Sequence, residues 1–182
     1  MSGDGSRAVG EAGPGARPQR SRRGSSRRAD IQLSPEEQRE LIDSERVVVV
    51  STIGRRGWPH SMPLWYVPRD GEIWVYTYAK SQKVRNLERD ARATLLLETG
   101  EEYDQLRGVQ IEATAHIHRD HDVVFELAKE LTARYAGGAQ VGEGRAEALR
   151  AQSRKRVAIR FEAMRNATWD HRKLGGAHEP PQ

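Results

Sequence analysis

The chain reads as a mainly β protein with inserted helices, folded as a small closed barrel. Three observations point there. Six or seven short segments rich in β-branched and aromatic residues follow one another at hairpin spacing. Helical patterns interrupt them at three places: the start, after the third strand and after the fifth. No GxGxxG follows a strand and no P-loop lysine motif occurs, so a doubly wound nucleotide-binding sheet has no support.

Residues 1–30 are Gly, Ser, Arg and Pro with almost nothing apolar, and cannot offset the entropy of ordering. They read as a disordered tail. Arg22-Arg23 lacks the apolar stretch of an export signal. The tail holds seven arginines against three carboxylates, while the remaining 23 basic and 23 acidic side chains cancel. The net +4 therefore belongs to the tail, and a specific nucleic-acid face is not expected. One domain spans 31–176, and 177–182 should be loose.

Ser34-Pro35-Glu36-Glu37 is a capping box that opens a short helix ending near Ser44. Val47 to Ile53 does not alternate, which predicts a strand buried on both faces. Trp58 to Val67 is the next strand, and Pro63 inside it predicts a bulge or an interrupted ladder. Pro68-Arg69-Asp70-Gly71 is a turn into Glu72–Tyr78, where Trp74, Tyr76 and Tyr78 share one face and Ile73, Val75 and Thr77 the other. Ser81 then caps a helix. Strands at Ala91–Glu98 and Val109–His118 follow, then an amphipathic helix from Asp120 ended by Gly137-Gly138. A weaker helix covers 143–151. Arg156–Phe161 is the last clear strand, with Met164–Trp169 as a short addition.

The absence of cysteine removes disulfides, thiolate metal sites and cysteine nucleophiles, and makes a reducing cytoplasm the expected compartment. No apolar run reaches membrane-spanning length. His116, His118 and His121 lack the spacing and further ligands of a zinc site, so no metal is expected. No GxSxG elbow occurs, and no catalytic acid, base or nucleophile is assigned. What stands out is the start of the Ser81 helix. Unpaired N–H groups, a hydroxyl and the Lys83 ammonium together make a cradle for a phosphate, directly behind an aromatic strand.

Tyr76-Thr77, three residues, then Ser81-Gln82-Lys83 resembles the Tyr-Thr and Ser-Arg-Lys hallmark of the pyridoxamine 5′-phosphate oxidase-like superfamily. Arg85-Asn86-Leu87 continues as in many members. Ser61-Met62-Pro63-Leu64-Trp65-Tyr66 looks like its preceding strand, and Trp169-Asp170-His171-Arg172-Lys173-Leu174 is similar to the ending of its deazaflavin-using branch. The resemblance implies a split β-barrel homodimer with two cofactor sites across the interface. It implies an oxidoreductase that transfers a hydride between F420 and a small organic substrate. An FMN-dependent oxidase or reductase, or a non-enzymatic flavin or haem carrier, are the alternatives. Ser81 and Lys83 would hold phosphate, helped by Gln82 and Arg85. Ser61, Met62, Pro63, Leu64, Trp65, Tyr76 and Thr77 would line the ring, and Trp169 and Arg172 would come from the second subunit.

The departures favour F420. The vitamin oxidase carries arginines where Ser61 and Gln82 stand, and ends in an Arg-x-His motif that this chain lacks. Lys83 is left as the clear phosphate cation. Arg55, Arg56, Lys80 and Arg85 flank it and could meet a longer anionic tail.

Overall fold

The structure, a computed structural model, describes residues 27–138 and 142–174; the expected loose ends 1–26 and 175–182 lie outside the described residues. Arg27–Asp30 forms a helical turn, α1, so the last part of the stretch expected to be disordered carries structure. Helix α2, Pro35–Ser44, has the full capping box: Glu37 N donates to Ser34 Oγ at 3.2 Å and Ser34 N to Glu37 Oε2 at 2.6 Å. It buries Leu41 and Ile42.

Seven antiparallel strands form one sheet: β1 Val48–Ile53, β2 Pro59–Leu64, β3 Tyr66–Arg69, β4 Glu72–Tyr78, β5 Arg92–Thr99, β6 Arg107–His118 and β7 Arg156–Asp170. Their order is β2-β1-β5-β6-β7-β4-β3. Helix α3, Gln82–Arg89, follows β4; α4, His121–Tyr135, and α5, Glu143–Ser153, lie between β6 and β7. One face of the sheet feeds a single core cluster from Val48 and Val50 through Leu95, Leu97, Val109 and Ile111 to Ile159 and Val75. The helices that contribute side chains to it are α2 and α3, through Leu41, Ile42, Val84 and Leu87. With so little cover the sheet must wrap on itself. Its edge strands β2 and β3 are consecutive in sequence and meet at Trp65.

Three sequence expectations need correcting. The Trp58–Val67 segment is two strands on opposite edges, and its break falls at Trp65 rather than Pro63. Pro63 sits in an unbroken ladder opposite Val49, tolerated because an edge strand uses only alternate N–H groups. Helices therefore follow the fourth and sixth strands. Strand β1 is buried on one face only, its residues alternating buried and half-buried, with Val47 exposed before it. The Arg156–Phe161 and Met164–Trp169 segments are one strand, β7, in which Met164 is the bulge residue: Ala163 pairs with Ala113 and Arg165 with Glu112.

On the outer face, α4 covers β3, β4 and β7 through Val124 and Leu127 against Val67 and Ala158, with Trp74 and Tyr76 alongside. The outer face of β1, β5 and β6 instead forms an open concavity of about 750 Å³ lined by Ser51, Ile53, Thr94, Gln110, Glu112 and Met164. No helix among the described residues is long and apolar enough to cross a membrane.

Candidate functional site

Helix α3 begins at Ser81, whose extended backbone places it at the N-cap. Its hydroxyl does not cap. Ser81 Oγ is buried with no hydrogen-bond partner among the described residues, and the first turn of α3 carries no acidic side chain. Two residues on, Lys83 is 8% exposed. Its Nζ donates to Thr77 Oγ1 at 3.2 Å and meets no carboxylate among the described residues. Burial pushes the ammonium below its ordinary range. A buried cation and an idle hydroxyl thus lie two residues apart at the start of a helix, whose first N–H groups have no partner within the helix. That donor set fits a phosphate.

Further cations lie nearby, in two recesses that neither Ser81 nor Lys83 lines. Arg55, Gln82, Arg85 and Arg89 line a recess of about 390 Å³. A second recess of about 360 Å³ lies between α3 and the 54–58 turn, lined by Arg55, Arg56, Trp58, His60, Gln82 and Asn86. The side chains of Arg55, Arg56, Lys80 and Arg85 make no ion pair or hydrogen bond among the described residues. Seven other arginines are ion-paired, among them Arg69 on Glu130, Arg119 on Glu88 and Arg160 on Glu72, while Arg107, Arg145, Arg154 and Arg165 also make no ion pair among the described residues.

The expected site residues fall into separate groups. Thr77 and Lys83 come together, with Ser81 at the N-cap of the same helix. Gln82 lies beside them, its Nε2 donating to Asn86 Oδ1 at 2.9 Å. On β2, Met62 and Leu64 pair with Val50 and Val48 and share their inward direction, although Met62 is 41% exposed at the sheet edge. Ser61 and Pro63 pair with Ser51 and Val49 and point outward, Ser61 Oγ lying 2.8 Å from Ser51 Oγ. Trp65 stacks on Tyr135 of α4, centroids 4.3 Å apart. Tyr76 is on the face of β4 opposite Thr77, with its hydroxyl 3.4 Å from Ser153 Oγ and Arg156 over its ring.

At the end of β7, Trp169 lies across Gly108 so closely that a Cβ there would be 2.3 Å from the indole. Arg172 is bidentate on Asp170, with Nε and Nη2 at 2.9 and 2.6 Å. That partner holds the buried Asp170 carboxyl below the usual range. The three histidines go separate ways: His116 to Glu162, His118 onto Trp74, His121 to the Arg150 carbonyl. Among the described residues no group of three or more His, Cys, Asp or Glu is arranged to hold a metal.

Sequence reasoning missed Thr52, His60, Asn86 and Arg89. Asn86 and Thr52 are almost fully buried and hydrogen-bonded to each other at 3.0 Å, and Arg89 donates to the Ile53 carbonyl. The available signal was polar residues at inward positions of an apolar strand and an apolar helix face.

A seven-stranded antiparallel sheet with a helix after β4 that buries a lysine in its first turn has the architecture of a split-barrel protein. Residues 34–170 match the pyridoxamine 5′-phosphate oxidase family, and the chain belongs to it. Among solved structures it resembles the conserved hypothetical protein Rv2991 from Mycobacterium tuberculosis, at 40% identity and TM-score 0.76, over 85% of this chain and 96% of that one. It shares its fold with an F420 reductase (19% identity, TM-score 0.57, 73% and 98% covered). It also shares it with the haem storage protein HutZ from Vibrio cholerae (16%, 0.57, 74% and 92%). A search of curated proteins finds no match.

Proposed function

We propose that the protein is an F420-dependent oxidoreductase acting on a small organic substrate. The observation that carries this reading is Lys83, a buried ammonium with one neutral partner, two residues from an unpartnered Ser81 hydroxyl. A buried charge without a counter-ion is costly, and a bound phosphate removes that cost. The cradle offers a single buried cation, and its surroundings offer unpaired arginines spread outward along α3 and the 54–58 turn. That distribution suits a phosphodiester continuing into a carboxylate tail better than a terminal phosphate held by several cations at one point.

When bound, such a cofactor supplies the hydride chemistry, and the protein positions it. Lys83 and Ser81 would hold the phosphate, with Gln82 and Arg85 at its rim. The strand from Ser61 to Trp65 would lie along the ring, with Thr77 on β4 beyond it, while Tyr76, expected beside it, faces the α4 and α5 side instead. No side chain is assigned as an obligatory acid or base. The uncovered outer face of β1, β5 and β6 suits a second copy, from which Trp169 and Arg172 would border the site. The test is the mass and visible spectrum of whatever small molecule copurifies, followed by turnover with a reductant. A deazaflavin that exchanges and turns over supports the reading. A tightly held haem or flavin without turnover overturns it.

A further inference from the structure

Between the start of α3 and strand β2 runs a chain of hydrogen bonds whose middle link is buried. Gln82, the first residue of α3, donates through Nε2 to Asn86 Oδ1 at 2.9 Å. Asn86 Nδ2 donates to Thr52 Oγ1 on β1 at 3.0 Å. Thr52 Oγ1 donates to the backbone carbonyl of His60 on β2 at 3.3 Å. Arg89 reinforces the chain from the far end of α3, reaching Asn86 Oδ1 at 3.5 Å and the Ile53 carbonyl. Asn86 is 0% exposed and Thr52 is 1% exposed. All three donations run the same way, from helix to strand, so each bond polarises the next.

An amide and a hydroxyl are an expensive choice for this place. The positions around them hold Val48, Val50, Val84 and Leu87, and apolar side chains would fill the same volume without desolvating polar groups. What a directional network adds is a fixed geometry. The two parts it joins have little else in common: β2 is an edge strand with β1 as its ladder partner, and α3 packs against β1 and β6. Ser81 and Lys83 stand at one end of the network, and Ser61 to Trp65 begin one residue past the other.

We propose that Asn86 and Thr52 are positioning residues that set the distance and angle between the anion cradle on α3 and the ring-facing strand β2. The inference rests on the cofactor reading above. A ligand that spans both parts feels this spacing. A bare anion in the cradle does not.

The experiment compares the full chain with Thr52→Val, which removes the hydroxyl at constant shape, and Thr52→Ser, which keeps it. Each is titrated with inorganic phosphate, with F420 and with FMN, while melting temperature and the absorption maximum of the bound ring are recorded. Thr52→Val should weaken the cofactor by about tenfold, the worth of one hydrogen bond's geometry. It should also shift the bound ring's spectrum, leave phosphate affinity as in the wild type, and be restored by Thr52→Ser. If Thr52→Val does not fold, Asn86→Leu, apolar and of similar volume, is read the same way. Equal loss for phosphate and cofactor, or a lower melting temperature with both affinities and the spectrum unchanged, overturns the proposal. A wild type that binds phosphate but neither cofactor overturns the cofactor reading and this proposal with it.

Discussion

Two ends of the molecule carry the same kinds of cation and use them differently. After β7, Arg172 lies on Asp170, and Lys173 reaches Glu37 Oε2 at 2.6 Å and the Gln32 carbonyl at 2.7 Å. Those contacts fasten the end of the chain to the segment before α2, where Asp170 N also donates to the Ile31 carbonyl and Leu33 N to Thr168 Oγ1. Around α3, Lys83 has a lone threonine hydroxyl, and Arg55, Arg56 and Arg85 have no carboxylate among the described residues. Charge neutralised within the chain holds the fold. Under the proposed function, the Lys83 ammonium, buried without a counter-ion, is met by the bound phosphate.

The comparison predicts opposite consequences for removing charge at the two ends. Lys83→Met should weaken phosphate and cofactor binding by about tenfold to a hundredfold, since a hydrogen bond to a charged group is worth roughly 1.5–3 kcal/mol. Its ligand-free melting temperature should hold or rise, because a buried ammonium is gone. A fall in melting temperature with unchanged affinity would assign Lys83 to the fold. Asp170→Asn should do the reverse, losing roughly 1–3 kcal/mol in a urea titration. Gly108→Ala tests the same fold-holding end, because the new methyl meets the Trp169 ring and the Leu97 carbonyl. It should cost about 1–3 kcal/mol by overpacking, and wild-type stability would show that Trp169 does not lie there.

A smaller effect follows from pH. Burial lowers the Lys83 ammonium from 10.5, so above that depressed value the unfolded chain holds a proton that the folded one has released. Ligand-free stability should rise as pH climbs from the depressed value toward 10.5. Phosphate affinity should fall over the same window. Lys83→Met should flatten both profiles, and a wild-type affinity that does not change there would remove the ammonium from binding. Smallest of all, deleting residues 1–26 should leave melting temperature and cofactor affinity unchanged, as read by thermal scan and titration. A shift in either would make the tail part of one of these two ends.

Much of the architecture was legible because it is fixed locally. The capping box at Ser34, the Asp70-Gly71 turn with both φ positive, the Gly137-Gly138 stop and the two faces of β4 each depend on residues a few positions apart. The errors share a different origin. Residues 64–67 have uniform β-propensity, so Pro63 drew the expected break and nothing local marks the real one at Trp65. It is held by Tyr135, whose hydroxyl accepts from Tyr66 N at 3.1 Å and whose ring carries Trp65. The valine run of β1 offers no polar contrast to reveal which face is open. Within β7, Glu162-Ala163 reads as a break between two strands until β6 supplies the register that joins them. At the site, the Ser81 helix start and Lys83 were legible. The burial of Lys83 and the Asn86–Thr52 link were not, since both depend on partners from other elements.

The central claim is that the cradle at Ser81 and Lys83, with the arginines around it, takes a phosphate that continues into an anionic tail. Calorimetric titration of the wild-type protein with F420 and with FMN, at matched salt because screening would blur the difference, tests it most directly. Tighter binding of F420, with the gap narrowing as salt rises, is the predicted result. Submicromolar FMN binding with no detectable F420 binding would contradict it.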